Sequence, residues 1–360
     1  MSEKVNVDLV GKDGGVGDVA AKLLSAGKLD PGRMRPYIAS DGKSYVTIYK
    51  GGDPTKEESY DVVEVQTNAT LRRDEWKQLD EAVLTVAEQR LVGIQDLVNR
   101  NLVFNLGNAM GTTVLEYHSL SDALEAELTM DGITRAKGDR PLYSTSYLPL
   151  PIIHVDYEIN ARVLAASRNL GNPLDTTMAE RAARKVSEKL EAMLFTDTTY
   201  TFGGGTIYSY LNHPSVIPAT LATSWSDSSI TGEDIINDVL AMKQLSINNL
   251  HYGPWVLYVP TAYETVLDAD YNATAKVTIR ERILKIAGIE AIQVADMLPT
   301  DNVLLVQMTS DVVRLVRGMP IQNVEWSTEG NMVTKFKVLT IQVPQIRADY
   351  NSKTGIVLLS

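Results

Sequence analysis

Residues 148–159, LPLPIIHVDYEI, and residues 171–195, GNPLDTTMAERAARKVSEKLEAMLF, carry the strongest fold signal in the chain. The first stretch alternates apolar and polar residues from Ile153 onward, which predicts a strand with one buried face. The second stretch repeats apolar residues at intervals of three and four, which predicts a long helix with one apolar side. A half-buried strand followed by a long amphipathic helix is therefore expected.

The polar face of the predicted strand carries His154, Asp156 and Glu158, because side chains in a strand alternate with a period of two. One histidine and two carboxylates could bind a divalent ion. Catalysis would also require a pocket and a positioned partner. The alternative interpretation needs only water or a neighbouring chain on this face. We favour that interpretation over a metal or catalytic site.

The helix has a recognisable start and a recognisable apolar side. Thr177 and Glu180 fit the S/T-x-x-E pattern of a capping box, and Glu180 and Arg184 are spaced for an ion pair. The acids and bases of this helix are predicted to lie opposite its apolar stripe, on a solvated or intersubunit face. The stripe comprises Ala182, Val186, Leu190, Met193 and Leu194.

Composition excludes several classes of protein. The 360 residues carry a net charge of −11, which argues against a dedicated surface for gripping polyanions but not against enclosing nucleic acid. The absence of cysteine excludes disulfides, thiolate metal sites and thiol catalysis. No apolar run of membrane-spanning length and no apolar signal core occur. We expect a soluble, intracellularly made protein that does not contact membranes.

Enzyme motifs are weak or missing. Gly15, Gly17 and Ala20 echo a dinucleotide fingerprint, but no buried strand runs directly into the first glycine, so a turn-rich arm is the better interpretation. The triple glycine at 203–205 lacks the G-K-[ST] of a P-loop, and neither G-x-S-x-G nor H-E-x-x-H is present. The chain is predicted not to be an enzyme and to use no cofactor or metal.

The segment 112–147 has an unusual distribution of charge. Its first part, TTVLEYHSLSDALEAELTMDG, contains five acids and no Lys or Arg, whereas TRAKGDR contains three basic residues and one acid. Alternation in ALEAELTMDG and a glycine-containing turn predict a long hairpin. Because an isolated two-stranded ribbon is only marginally stable, we expect this hairpin to pack against a further surface, such as another subunit.

The remaining segments predict a mixture of helices and strands. Residues 1 to about 70 are rich in turns, with short strands such as SYVTIY and DVVEVQT. Residues 72 to about 98 are predicted to be helical, with a coarse apolar stripe formed by Trp76, Leu79, Val83, Val86 and Leu91. From about 216 to 319 the pattern is α/β: GPWVLYVP predicts a buried strand, IEAIQV and NVLLVQM predict further strands, and Thr231 is predicted to cap a helix. The chain ends in strands, and the apolar GIVLL is expected inside a sheet.

Several stretches taken together resemble one family. They are TLRRDEWKQLDEAVLTVAEQRLVG, YLPLPIIHVDYEINARVLA, NPLDTTMAERAARKVSEKLEAMLF, GPWVLYVPTAYETVL and the strand-rich C-terminus. Their order resembles the encapsulin-like branch of tailed-bacteriophage major capsid proteins, which have the Hong Kong 97 capsid fold. The resemblance covers about residues 72–360.

The resemblance implies an α+β chain divided as in those capsid proteins. An extended E-loop would reach across a neighbouring subunit, the long helix would be the spine of a P-domain, and an A-domain would surround the axes of pentamers and hexamers. The implied divisions are an N-terminal arm at 1–71, an N-terminal helix region at 72–111, the E-loop at 112–147, the P-domain at 148–215, the A-domain at 216–319 and strands returning to the P-domain at 320–360.

The implied function is that of a major capsid protein, which self-assembles into an icosahedral viral head enclosing double-stranded DNA without sequence-specific binding. The subunit would be made and assembled in the host bacterial cytoplasm and end in the virion, with scaffolding, portal and decoration proteins as candidate partners. The alternative is an encapsulin-type compartment, with a cargo peptide bound by the helix near 76–91 and the inner surface of the P-domain. The roughly seventy residues before the helix favour the capsid.

The resemblance also directs attention to charged residues of the predicted E-loop. Arg135, Lys137 and Arg140 on the basic side, and Glu125 and Glu127 on the acidic side, are predicted intersubunit contacts, since complementary charge fixes partner choice.

Some relatives cross-link their subunits through a lysine–asparagine isopeptide. Lys137 is the only lysine of the predicted loop and Asn351 is a conceivable acceptor. No recognisable motif surrounds Asn351, and we expect noncovalent locking instead.

Overall fold

The computed structural model describes residues 37–39, 41, 43–49, 60–64, 71, 73–90, 92–107, 109–120, 130, 143–160, 162, 176–272, 277–328, 333–349 and 351–360. The α-helices of these residues are α1 (Arg73–Arg90), α2 (Val92–Asn99), α3 (Thr177–Phe195), α4 (Gly232–Asn248), α5 (Glu264–Leu267) and α6 (Ile279–Leu284). None of the helices in this part of the chain has the length and apolarity that crossing a bilayer requires.

The strands of the described residues group into sheets that take members from distant parts of the chain. In chain order they are β1 (Tyr37–Ile38), β2 (Ser44–Tyr49), β3 (Tyr60–Glu64), β4 (Val103–Asn105), β5 (Val114–Leu120), β6 (Tyr143–Pro149), β7 (Ile153–Asn160), β8 (Tyr200–Phe202), β9 (Gly205–Ile207), β10 (Ile217–Ala219), β11 (Trp255–Val259), β12 (Ile289–Val294), β13 (Val303–Gln307), β14 (Val313–Thr328), β15 (Val333–Ile346) and β16 (Ile356–Leu359).

A small antiparallel sheet, β1-β2-β3, forms from the turn-rich beginning of the chain. The predicted strand SYVTIY is β2, so this prediction is confirmed. The sheet is tied to the body, because the Ile38 amide donates to the Leu71 carbonyl at 2.9 Å and Tyr37 packs against the main core. Gly15, Gly17 and Ala20 lie outside the described residues.

The helix predicted over 72–98 is two helices, α1 and α2. Trp76, Leu79 and Val83 of α1 are buried in the main core, as the apolar spacing predicted. Helix α2 lies close to the end of α3 because Gly93 has no side chain. A Cβ built at that position would lie 2.6 Å from the Phe195 ring.

A four-stranded sheet, β4-β14-β15-β7, carries α1 and α3 on one side. Strand β7 confirms the alternation predicted for 153–159, with Tyr157 buried and His154, Asp156 and Glu158 exposed. Tyr157 stacks on the buried Phe336 of β15, with ring centroids 5.0 Å apart. Each fully buried large apolar side chain of this layer contributes about 1.5–3 kcal/mol.

The start of α3 differs from the prediction. Helix α3 begins at Thr177, its N-cap is Thr176, and no side-chain cap bond forms, so the predicted capping box of Thr177 and Glu180 is wrong. Thr176 has helical rather than extended backbone angles, and its hydroxyl donates to the Glu180 carboxylate at 2.7 Å instead. Arg184 pairs with Glu188, at 2.8 Å, rather than with Glu180.

A five-stranded mixed sheet, β10-β16-β13-β11-β12, forms the second main layer. Its central strands are buried on both faces: Trp255 and Leu257 face the core beneath α4 and α6, whereas Val256 and Tyr258 face the core shared with α2 and α3. The strands predicted from GPWVLYVP, IEAIQV and NVLLVQM are present.

The predicted cap of α4 is also confirmed. The Thr231 hydroxyl accepts the Asp234 amide, and the Asp234 carboxylate accepts the Thr231 amide at 3.0 Å.

Residues 320–360 contribute strands to two layers, and the apolar GIVLL lies inside a sheet, as predicted. Strand β15 does pair with β7, but β16 is inserted between β10 and β13 of the five-stranded sheet. The placement has a physical reason. Ile356 and Val357 are buried on opposite faces, which only a sheet covered on both sides can provide.

Candidate assembly surface

The hairpin predicted over 112–147 is present at its base. Strands β5 and β6 pair antiparallel from Val114 opposite Pro149 to Leu120 opposite Tyr143. The base is anchored by a small core in which Leu148 and Leu150 pack with Ile207, Val316, Ile341 and Val343. Farther along, the Thr145 side chain is exposed. In the described part of this two-stranded β5–β6 ribbon, buried side chains are therefore concentrated at the root, the end where Val114 pairs with Pro149.

The five predicted contact residues, Glu125, Glu127, Arg135, Lys137 and Arg140, lie outside the described residues. Their role stays a prediction. Asn351 is described and lies exposed in a turn, whereas the lysine proposed to react with it is not described. The structure therefore does not test whether Lys137 and Asn351 form a cross-link, and noncovalent locking stays a prediction.

A short second hairpin, β8–β9, packs against the root of the ribbon. Gly205 makes this approach possible, because a Cβ at that position would lie 2.2 Å from the Tyr147 carbonyl oxygen. The outer side chains of the hairpin, Tyr200 and Phe202, are 48% and 52% exposed. The hairpin β8–β9 therefore presents an exposed apolar surface next to the β5–β6 ribbon.

A groove of about 510 Å³ lies between this hairpin, the start of β7 and helix α3. Apolar side chains from all three elements line it, and Lys185 and Lys189 stand at its α3 side. Ile152 is 47% exposed here although it is a large apolar residue. The apolar lining includes Ile152, Met193, Tyr200 and Ile207.

The exposed face of α3 is basic beside the groove. Arg184 and Lys185 both contact Glu188, at 2.8 Å each, whereas among the described residues Lys189 has no carboxylate within ion-pair distance. The sequence predicts an outer face for the charged residues of α3 but does not distinguish one from another. The fold shows which of them border an apolar groove.

One acid of α3 is not on the outer face, which corrects that assignment. Glu191 is 5% exposed, and its Oε1 accepts the amide of Gly93 at 2.9 Å and that of Ile94 at 3.4 Å. Burial raises the pKa of Glu191 to about 8 despite these two bonds. The sequence contained one signal for the burial of Glu191. The small residues Ala183 and Ser187 precede it by eight and four residues and therefore lie on the same side of the helix.

A second buried acid lies next to Glu191. The Tyr258 hydroxyl donates to Asp96 Oδ2 at 2.9 Å, and burial raises the pKa of Asp96 as well. Helix α2 is therefore connected to α3 through Glu191 and to the five-stranded sheet through Asp96. The two acids join the two main layers, and sequence patterns gave no indication of this.

The polar face of β7 is an open surface. His154 Nδ1 lies 3.5 Å from Asp156 Oδ1, and the Lys337 amine lies 3.4 Å from the same carboxylate oxygen. About half of the His154 and Asp156 side chains is exposed. No group of three or more potential metal ligands occurs among the described residues. These contacts match a solvated strand face.

Comparison with known proteins places the chain in a family. A model described as a family of unknown function, DUF6260, matches residues 66–359. The chain belongs to this family.

Similar structures identify the fold of this DUF6260 chain. The virus-like particle from Pyrococcus furiosus superposes with a TM-score of 0.57 at 18% identity, over 79% of this chain and 98% of the other. The capsid of Myoviridae phage XM1 gives 0.52 at 10% identity, over 69% and 86%. The chain has the Hong Kong 97 fold, as the sequence resemblance implied.

One curated protein is also similar in sequence, the diheme-cytochrome-encapsulin shell fusion protein of Kuenenia stuttgartiensis. It is 22% identical over 245 residues, which are 66% of this chain. The matched region spans only 62% of that relative's length.

Proposed function

We propose that the protein is the subunit of a closed icosahedral shell, the head of a tailed bacteriophage, that encloses double-stranded DNA. The observation that carries the proposal is the ribbon β5–β6 on a Hong Kong 97 fold, with its burial concentrated at the root. A ribbon of this kind needs a further surface to be stable, and a neighbouring copy would supply it.

The mechanism is association rather than catalysis. Each contact between copies is weak, but closed rings repeat it, so the total stabilisation grows with the number of copies. The net charge of −11 suits a wall that encloses DNA without gripping its phosphates. Assembly in the host bacterial cytoplasm, with scaffolding, portal and decoration proteins as partners, belongs to the same proposal.

An encapsulin-type compartment holding cargo proteins is the second candidate. Two findings favour it: the sequence similarity to an encapsulin shell fusion protein and the structural similarity to a virus-like particle. Both candidates predict the same closed shell and differ in its contents.

Expression followed by negative-stain microscopy tests the shared part of the proposal. We expect closed particles of uniform diameter. A purified protein that stays monomeric at high concentration contradicts both candidates. Nuclease-protected DNA inside particles from the native source supports the phage head, whereas a co-purifying enzyme without DNA supports the compartment.

The basic residues of the hairpin sequence, Arg135, Lys137 and Arg140, are proposed to set the register between copies. Changing all three to Glu is expected to prevent shell closure while the subunit stays folded, as judged by circular dichroism. Normal shells from this variant would refute the assignment.

A further inference from the structure

We propose that Arg314 and Arg347 form a binding site for a phosphate dianion, either free inorganic phosphate or the phosphomonoester of a nucleotide. The site lies where β4, β14 and the end of β15 meet, on the face of the four-stranded sheet opposite α1 and α3. Binding at this place is separate from the assembly of shells, so it can be measured whether or not the proposed function is correct.

Strand pairing places the two arginines on one face of the sheet. Arg314 of β14 lies directly opposite Gln345 of β15, and Arg347 follows Gln345 by two residues. The pairing extends as far as Arg347, because its amide donates to the Val312 carbonyl at 2.8 Å. Side chains two residues apart on a strand share a face, so Arg314 and Arg347 are diagonal neighbours.

This face is the one that turns away from α1 and α3. Val313 and Leu315, on either side of Arg314, belong to the main core. Val316, two residues from Arg314, belongs instead to the small core at the root of the ribbon. Alternation therefore puts Arg314 and Arg347 beside that small core. Both arginines are partly exposed, so a small ligand can reach them.

The two arginines lack a counter-charge. The chain has 45 Asp and Glu against 34 Lys and Arg, yet within the described ranges no carboxylate lies at ion-pair distance from either guanidinium. Asp349 follows Arg347 by two residues, but its carboxylate accepts the Lys353 amide at 2.8 Å and lies 3.8 Å from His251 Nε2. Burial, and then the positive charge of Arg347, lower the pKa of Arg314. Two cations held together without an anion favour the binding of one from solution.

Arg314 is held in place before any ligand arrives. Its Cζ lies over the Phe104 ring of β4, 4.5 Å from the ring centroid, and its Nε donates to Gln345 Oε1 at 2.6 Å. These contacts leave the terminal nitrogens available for a two-pronged contact with an oxyanion. Gln345 is 1% exposed, and its Nε2 has no hydrogen-bond partner. The cluster therefore lacks an acceptor as well as a negative charge.

Charge and acceptor number favour phosphate over a carboxylate. A phosphomonoester carries about −1.5 to −2 charges near pH 7 and has three strong acceptor oxygens, which match two guanidinium groups. A carboxylate has a single charge and two oxygens, so one arginine would stay without a partner. A DNA phosphodiester also has a single charge per phosphate, and the net charge of −11 opposes the approach of a long polyanion.

Isothermal titration calorimetry of the dilute full-length chain tests the site with inorganic phosphate, AMP, adenosine and acetate at one ionic strength. We expect phosphate and AMP to bind, adenosine not to bind, and acetate to bind at least about tenfold more weakly. Equal affinities for phosphate and AMP would show that the phosphate group alone is recognised. An affinity at least about tenfold higher for AMP would identify a nucleotide as the ligand.

The variant R347M decides the assignment, because the Arg347 side chain makes no hydrogen bond or ion pair with the described part of the chain. Its affinity for phosphate should fall about tenfold, the order expected for one charge-assisted hydrogen bond. R314M should show at least the same loss. R282M removes an exposed arginine of α6 with the same change in charge and should bind like the unmodified chain.

Circular dichroism checks the folding of each variant, and R347M carries the test if R314M unfolds. Absence of phosphate and AMP binding by the unmodified chain would overturn the site. So would unchanged binding by R347M, a loss in R282M equal to that in R347M, or an equal affinity for acetate.

Discussion

The buried carboxyl of Glu191 should make the stability of the subunit fall as the pH rises. Its folded-state pKa of about 8 lies above its ordinary value of 4.5, so the folded chain holds a proton that the unfolded chain releases. The resulting stabilisation is complete below about pH 4.5 and is lost as the pH rises through 8. Between pH 6 and pH 9, the free energy of unfolding should fall by about 3 kcal/mol from this group.

The variant E191Q isolates this contribution. Glutamine keeps a carbonyl oxygen for the amides of Gly93 and Ile94 and stays neutral at every pH. Because pH 6 lies about 1.5 pH units above the ordinary pKa of 4.5, the unmodified chain has already lost about 2 kcal/mol there, so E191Q should exceed its stability by about 2 kcal/mol at pH 6. At pH 9 this difference should grow to about 5 kcal/mol. Urea unfolding of dilute, unassembled subunits, followed by tryptophan fluorescence, measures both values.

The matched control is E188Q, one turn earlier on the same helix. Arg184 and Lys185 lower the pKa of Glu188, so this carboxylate is ionised in both states from pH 6 to 9 and should not change the slope. If E191Q shows the same dependence on pH as the unmodified chain, the buried-proton explanation is wrong.

Two further substitutions test local features of the fold. T231A removes a capping box that the structure contains and should lower the free energy of unfolding by about 1 kcal/mol. An unchanged free energy of unfolding for T231A in urea titrations would contradict this assignment. G205A should separate β8–β9 from the ribbon, because its Cβ would meet the Tyr147 carbonyl oxygen at 2.2 Å, and should cost about 1–3 kcal/mol. Faster amide hydrogen exchange in β8, β9 and β6 would reveal the separation, T206A serves as the control, and unchanged exchange in G205A would refute the steric argument.

Local periodicity was sufficient for much of the fold. Alternation identified β7 and its exposed face, and the continuous apolar run at 255–259 identified a strand buried on both sides. Spacing of three and four identified α3 and its buried stripe. These features depend on which side of one element faces the core, and that choice is written in neighbouring residues.

The candidate site was less accessible to sequence reasoning. The acidic and basic parts of the hairpin were visible as charge runs, and they indicated an intersubunit role. The groove was not visible, because Ile153, Met193 and Tyr200 come from three elements that only folding brings together. The lysines of α3 cannot be distinguished in the sequence, and only the fold shows that Lys185 and Lys189 lie beside that groove.

The sequence by itself determined which segments are helices and strands, which faces are apolar, and that an acidic run and a basic run lie within residues 112–147. Only the tertiary structure decided that Glu191 is buried, that Thr176 rather than Thr177 precedes α3, and that β16 joins the five-stranded sheet. The physical reason is that a residue's environment depends on distant partners. Glu191 is buried because α2 approaches at Gly93, a contact that spans 98 residues of chain and leaves no pattern in the residues around either end.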